Sequence, residues 1–87
     1  MSDRYLCIGE EHRKSRWTRR DAWYRPNRDE ALRFLRGIAN RVAEKNRHDR
    51  RFRLVEKRKA GWVQVLEMTW EGDAGWIEKG EFASTKC

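Results

Sequence analysis

One segment of this chain has the periodicity of an amphipathic helix, and it limits the fold to a single helix packed on strands. Apolar residues recur at helical spacing across residues 26–45. Asn27, followed three residues later by Glu30, is typical of a helix N-cap with its reciprocal partner. The apolar stripe consists of Ala31, Leu32, Phe34, Leu35, Ile38, Ala39 and Val42. We therefore predict one helix over 26–45, with Leu35 and Ile38 buried at the centre of its apolar face.

The segments on either side of this helix are rich in strand-forming residues. They are residues 4–9, 17–25, 52–57, 62–70 and, as a short edge strand, 76–82. Residues 58–61 have the composition of a hairpin turn. The predicted fold class is α+β, a single small two-layer domain over 1–87 in which the helix packs on a mostly antiparallel sheet. The expected order is β-β-α-β-β with four strands, or five if the edge strand forms, and a frayed tail at 83–87.

A single helix can cover only one face of such a sheet, so the second face bears on function. Along residues 62–70 both alternating sets are apolar, because Val63 and Val65 oppose Trp62, Leu66, Met68 and Trp70. Either another part of the chain covers the second face, or that face is exposed. Exposed aromatic patches mark partner or dimer interfaces. The candidate protein interface is therefore Trp62, Leu66, Met68 and Trp70, with a homodimer as one occupant.

Charge is distributed unevenly along the chain. The first 59 residues contain nineteen basic and nine acidic residues, whereas residues 60–87 contain two basic and five acidic ones. Most of the excess is arginine, whose planar guanidinium suits phosphate, carboxylate and aromatic faces. We therefore expect the partner to be nucleic acid or an acidic protein surface.

Basic and aromatic residues interleave most densely in residues 12–25, and a second arginine cluster follows the helix at 47–53. Basic side chains neutralise phosphates and aromatic rings stack on unpaired bases, so this mixture suits nucleic acid. If the helix and both clusters share a side, they form one continuous basic surface. The candidate binding residues are Arg13, Lys14, Arg16, Trp17, Arg19, Arg20, Trp23, Arg25, Arg33, Arg36, Arg47, Arg50, Arg51 and Arg53.

Motifs for catalysis, metal binding and cofactors are absent from the sequence. Cys7, His12, His48 and Cys87 match no zinc-module spacing, and there is no Gly-rich phosphate loop or nucleophile elbow. We expect no catalytic residues, no metal and no cofactor. The one catalytic alternative is a small ribonuclease toxin that would use His48 or Tyr24 beside Arg51 and Arg53.

These observations favour a small, non-enzymatic, basic binding protein that contacts RNA or DNA as an accessory or regulatory factor. The alternative is an inhibitor or adaptor of the phage or mobile-element type, which would use Arg and Trp against an acidic surface of a host protein. No run approaches the roughly 18 apolar residues of a membrane span, and residues 1–10 lack the apolar core of a signal peptide. We therefore expect a cytoplasmic protein without a membrane partner.

Overall fold

A computed structural model describes residues 4–83, which form five strands and one α-helix. The elements are β1 (Tyr5–Arg13), β2 (Arg16–Arg25), α1 (Arg28–Arg41), β3 (Arg50–Arg58), β4 (Gly61–Trp70) and β5 (Trp76–Lys79). The strands pair antiparallel in a single sheet with the spatial order β2-β1-β3-β4-β5. The predicted α+β class is therefore confirmed, and the optional fifth strand is present.

The helix begins at Arg28, directly after the predicted N-cap Asn27 and two residues inside the predicted segment, and it ends four residues before the end of that segment. Asn27 Oδ1 accepts a hydrogen bond from the Glu30 backbone N–H at 2.9 Å, and Asn27 Nδ2 donates to Glu30 Oε2 at 2.9 Å. After Arg41 the chain turns, and Arg47 donates from Nε to the Val42 carbonyl and from Nη2 to the Asn40 carbonyl. Arg47 thus satisfies carbonyls at the end of the helix, which α1 would otherwise leave unpaired.

The core lies between α1 and one face of the sheet. Ala31, Leu35 and Ala39 are fully buried on the helix. They pack in one cluster with Cys7 of β1 and Leu54 of β3, among others. Burial of Leu35 is as predicted, whereas Ile38 is only partly buried at the edge of the cluster. The helix therefore uses its apolar stripe as expected, but the stripe is centred nearer Leu35 than Ile38.

A bulge in β4 overturns the predicted four-residue interface. Leu54 pairs with Leu66, but the next residue, Val55, pairs with Gln64, so Val65 is an extra residue. The extra residue reverses the alternation, and Trp62 lies on the face opposite Leu66 and Met68. Leu66 and Met68 are 0 % and 3 % exposed and belong to the core. Trp70 packs against Trp76. The predicted interface of Trp62, Leu66, Met68 and Trp70 is therefore wrong as a set.

The chain after β5 folds back onto the bulge. The Phe82 N–H donates to the Val65 carbonyl at 2.9 Å, and Phe82 joins the core. Gly80 has a φ of 121°, and a Cβ there would lie 2.6 Å from the same carbonyl oxygen, so this return requires glycine. Of the predicted frayed tail at 83–87, Ala83 packs against the core, and residues 84–87 lie outside those described.

Candidate nucleic-acid interface

The face of the sheet turned away from α1 has no helix over it among residues 4–83. Cys7, Leu54 and Leu66 lie side by side on the helix side, and adjacent strand residues point the opposite way. We call this second surface the open face. Its members are Leu6, Ile8, Glu10, His12, Trp17, Arg19, Ala22, Tyr24, Arg51, Arg53, Val55, Lys57, Trp62, Gln64, Glu67, Thr69, Ile77 and Lys79.

A carboxylate on the open face, toward the β1–β2 hairpin, holds two arginines in place. Glu10 Oε1 accepts from Arg51 Nε at 2.7 Å and from Arg53 Nε at 3.2 Å. Glu10 is only 7 % exposed although no helix covers it, because long side chains surround it. The Arg51 guanidinium also lies 4.4 Å from the centre of the Trp17 ring. Both guanidiniums are therefore fixed by the carboxylate, Arg51 beside the Trp17 ring and Arg53 through a second hydrogen bond to Gln64 Oε1 at 3.1 Å.

The other end of the open face is apolar and aromatic. Tyr24 and Trp62 are 53 % and 46 % exposed, and their ring centroids are 6.3 Å apart. Leu6 and Val55 form a register pair between β1 and β3 in the same part of the face. The two exposed rings are inclined at 54° to each other, and either ring can accept a flat, apolar group on its exposed face.

The β1–β2 hairpin ends in a tip that carries unpaired positive charge. Lys14 and Ser15 have φ values of 51° and 68°, as the two central residues of a type I′ turn require. Arg13, Lys14 and Arg16 are exposed and form no ion pair within residues 4–83. The tip adjoins Trp17, so its charges continue the basic end of the open face.

The predicted binding residues divide between the two sides of the sheet. Those on the open face or at the hairpin tip are Arg13, Lys14, Arg16, Trp17, Arg19, Arg51 and Arg53. Those elsewhere are Arg20, Trp23, Arg25, Arg33, Arg36, Arg47 and Arg50. The helix and the two clusters therefore do not share a side, and one continuous basic surface does not form.

Several members of the second group serve internal contacts. Arg36 donates from Nε and Nη2 to the two carboxylate oxygens of Glu78, at 2.8 and 2.9 Å, and this hydrogen bonding raises the pKa of Arg36. Trp23 packs edge-on against Phe34 at 5.2 Å. Such residues stabilise the contact between sheet and helix rather than a ligand.

Two other arginines of that group contact a single carboxylate near the β1–β2 hairpin. Arg50 Nη2 lies 3.8 Å from Glu11 Oε2, and Arg20 Nη1 lies 3.5 Å from the same oxygen. Arg20 is the extra residue of the β2 bulge, because Gly9 pairs with Asp21 and Glu10 with Arg19. Their charges are partly neutralised, so they add less to an anion-binding surface than the tip residues do.

The residue that sequence reasoning missed is Glu10, which organises the basic end of the open face. An acidic residue in a basic segment is usually interpreted as a neutralising surface charge. The available signal was its alternation with Leu6 and Ile8, which places it on the same face as two apolar residues.

The residues considered for metal binding or ribonuclease chemistry are dispersed. Within residues 4–83 no group of three or more His, Cys, Asp or Glu side chains could hold a metal ion. Cys7 is buried on the helix side, and His12 packs on Trp17 at 5.1 Å. Among the same residues, no hydrogen bond or ion pair joins His48 or the Tyr24 side chain to Arg51 or Arg53.

Comparison with protein-family models gave no match, and searches of curated proteins and of solved structures gave no significant match. Helices long and apolar enough to cross a membrane do not occur in the part of the chain that the structure describes.

Proposed function

We propose that this protein binds single-stranded RNA or DNA across the open face and the hairpin tip, as a non-enzymatic accessory or regulatory factor. The observation that carries the proposal is a sheet face that no helix of the described residues covers and that combines fixed guanidiniums with exposed aromatic rings. Nucleic acid as the ligand is consistent with the cytoplasmic location expected from the sequence.

The charge of the open face supports a polyanion. Its basic members are Arg19, Arg51, Arg53, Lys57 and Lys79, and its acidic members are Glu10 and Glu67. The tip residues add three cations at one end. Arg51 and Arg53 share Glu10, so their charges are partly neutralised. The contacts for successive phosphates therefore come first from the cations without an ion pair in residues 4–83, which are the tip residues, Arg19, Lys57 and Lys79.

The aromatic residues favour a single strand over a duplex. Tyr24 and Trp62 at one end, and Trp17 at the other, present rings on the same side of the sheet as the cations. Each base has two π faces, and in a duplex these are already stacked on neighbouring bases. Unpaired bases can stack on protein rings without sequence readout, which gives about 1–3 kcal/mol per base.

The proposal is tested by the salt dependence of binding to a short single-stranded oligonucleotide, measured by fluorescence anisotropy. Neutralising Arg16 and Arg19 together (Arg16→Gln with Arg19→Gln) should flatten the slope of log K against log salt by about 1.4, which is two single-strand phosphate contacts. The control is Lys45→Gln with Lys59→Gln, which removes the same charge from exposed positions outside the open face. Equal effects of the two double variants would contradict a site on the open face.

A second variant tests the stacking part of the proposal. Trp62→Ala should weaken binding of a single strand by the loss of one stacked base, about 5- to 150-fold. Binding of a duplex with the same sequence should change far less. A similar loss for both ligands would mean that Trp62 contributes to folding rather than to base stacking.

The apolar end of the open face favours a second candidate, a protein partner with an acidic rim. Tyr24 and Trp62 are the exposed large apolar side chains among the described residues. An association that buries them would tolerate raised salt and nuclease treatment, since apolar contact is not screened. An inhibitor of a host protein and a homodimer are both of this kind. Loss of all partners at high salt would exclude this candidate.

A further inference from the structure

A groove lies on the opposite side of the molecule, between α1 and the end of β2, and neither candidate function uses it. Its volume is about 310 Å³, within the range of small-ligand sites. Three arginines line it, Arg25 from β2 and Arg33 and Arg41 from α1. Phe34 and Ile38 form its apolar wall. We call it the arginine groove.

Two of the three guanidiniums have no counter-charge among the described residues. Arg33 and Arg41 are exposed and pair with no carboxylate within residues 4–83. Arg25 lies over the Phe34 ring, 3.8 Å from its centroid, and donates to the Tyr24 carbonyl. The one acidic lining residue, Glu30, is held by Asn27 in the helix cap. The groove thus has a formal charge of +2, which complements a dianion.

Gly37 supplies the space in the groove. It lies one helical turn from both Arg33 and Arg41, so the three residues form one row on α1. A Cβ at Gly37 would meet nothing within 4 Å, and its φ is not positive. Glycine inside a helix costs about 1 kcal/mol relative to alanine. Neither packing nor backbone conformation requires this glycine, and its lack of a side chain leaves room for a ligand between the two arginines.

We propose that the arginine groove binds the phosphate monoester of a nucleotide. A phosphate monoester carries a charge of about −1.5 to −2 at pH 7 and three acceptor oxygens, which match three guanidiniums. Arg25 covers one face of the Phe34 ring, so Ile38 and the rest of the Phe34 side chain would contact the sugar and base. The source of this group is either a free mononucleotide or the 5′ end of a strand. The inference does not depend on the proposed function, because the groove and the open face are on different sides of the sheet.

The experiment compares strands of identical sequence with a 5′-phosphate and with a 5′-hydroxyl by fluorescence anisotropy, together with AMP and inorganic phosphate by calorimetry. The native protein should bind AMP more tightly than inorganic phosphate. If the source is a strand end, the protein should also prefer the 5′-phosphorylated strand by about tenfold or more, as expected for bonds from guanidinium to a charged group. If the protein binds AMP but has equal affinity for the 5′-phosphate and 5′-hydroxyl strands, the ligand of the groove is a free nucleotide.

Two variants locate the site. Arg33→Gln with Arg41→Gln should abolish AMP binding and any preference for the 5′-phosphate. Gly37→Leu should do the same with all three charges retained, and its folding is checked by circular dichroism. The control, Lys45→Gln with Lys59→Gln, removes the same charge elsewhere and should retain both AMP binding and any such preference.

The results that overturn the inference are distinct from those that overturn the proposed function. Failure to bind AMP together with equal affinity for both strands would exclude a phosphate monoester site. Equal affinity for AMP and inorganic phosphate would exclude a nucleotide. An unchanged Gly37→Leu variant would place the site outside the groove. Binding of the 5′-hydroxyl strand reports on the open face alone, so either proposal can fail while the other stands.

Discussion

Replacing Glu10 by Gln should lower the free energy of unfolding and raise the affinity for nucleic acid. The Glu10 carboxylate accepts from Arg51 Nε at 2.7 Å and from Arg53 Nε at 3.2 Å. Glutamine has almost the same size and keeps one acceptor oxygen, but it removes the negative charge. The variant therefore leaves packing intact and removes the counter-charge that the two guanidiniums share, while Arg51 keeps its contact with Glu67 at 3.9 Å and Arg53 its hydrogen bond to Gln64.

The stability cost follows from the loss of the carboxylate charge. The guanidiniums stay ionised, so their bonds to the glutamine oxygen remain charge-assisted, and the variant loses the ion-pair attraction rather than the whole bond. The Arg51 and Arg53 side chains are 23 % and 29 % exposed, and exposed pairs contribute about 0.2–1 kcal/mol each. We expect Glu10→Gln to lower the free energy of unfolding by about 0.4–2 kcal/mol in total, measured by urea denaturation.

The gain in binding follows from the released cations. Each phosphate contact to a single strand adds about 0.7 to the slope of log K against log salt. If Arg51 and Arg53 each reach a phosphate more closely, the slope should steepen by about 0.7–1.4. Affinity at low salt should rise accordingly, and fluorescence anisotropy at several salt concentrations measures both quantities.

The matched control is Glu44→Gln, because Glu44 is exposed after α1 and has no ion pair within residues 4–83. It changes the net charge equally without freeing an arginine on the open face. If both variants steepen the slope equally, then Arg51 and Arg53 do not contact phosphate and the reasoning fails. Unchanged stability in Glu10→Gln would refute the proposed energetic role of the ion pairs.

Three further predictions concern the scaffold. Leu35→Ala should cost about 2–5 kcal/mol through lost burial and a cavity, since Leu35 is fully buried; an unchanged urea midpoint would mean that α1 packs through another face. Gly37→Ala should instead stabilise the fold by about 0.5–1 kcal/mol in the same assay, because its Cβ meets nothing within 4 Å; a loss would show that the position is crowded. Burial raises the pKa of the Cys7 thiol from 9.0 to about 11. Unfolded chains therefore lose this proton first, and the free energy of unfolding should fall as the pH rises from 9 to 11. Burial, and after it the hydrogen bond to Glu56, also raises the pKa of Tyr5. Tyr5 therefore adds to the fall in the free energy of unfolding at high pH. Cys7→Ala should reduce this fall, most visibly between pH 9 and 10, and an identical fall in that variant would contradict the assignment to Cys7.

The sequence alone determined the elements and their order. The start of α1 depends on Asn27 and Glu30, which interact across three residues, and the turn between β3 and β4 depends on Gly61, which has a φ of 120°. These interactions act within a few residues of each other, so a pattern in the sequence predicts them. The fold class follows, since a single helix among strands of this length buries its apolar face by packing on a sheet.

Only the tertiary structure decided which charges face a ligand. The burial of Glu10 depends on Arg51 and Arg53, more than forty residues away along the chain. The position of Trp62 depends on Val65, the extra residue where β4 pairs with β3. Sheet register is set by contacts between distant strands, and one extra residue in a strand moves the side chains beyond it to the other face. Local sequence therefore specified the strands, whereas their pairing specified the open face.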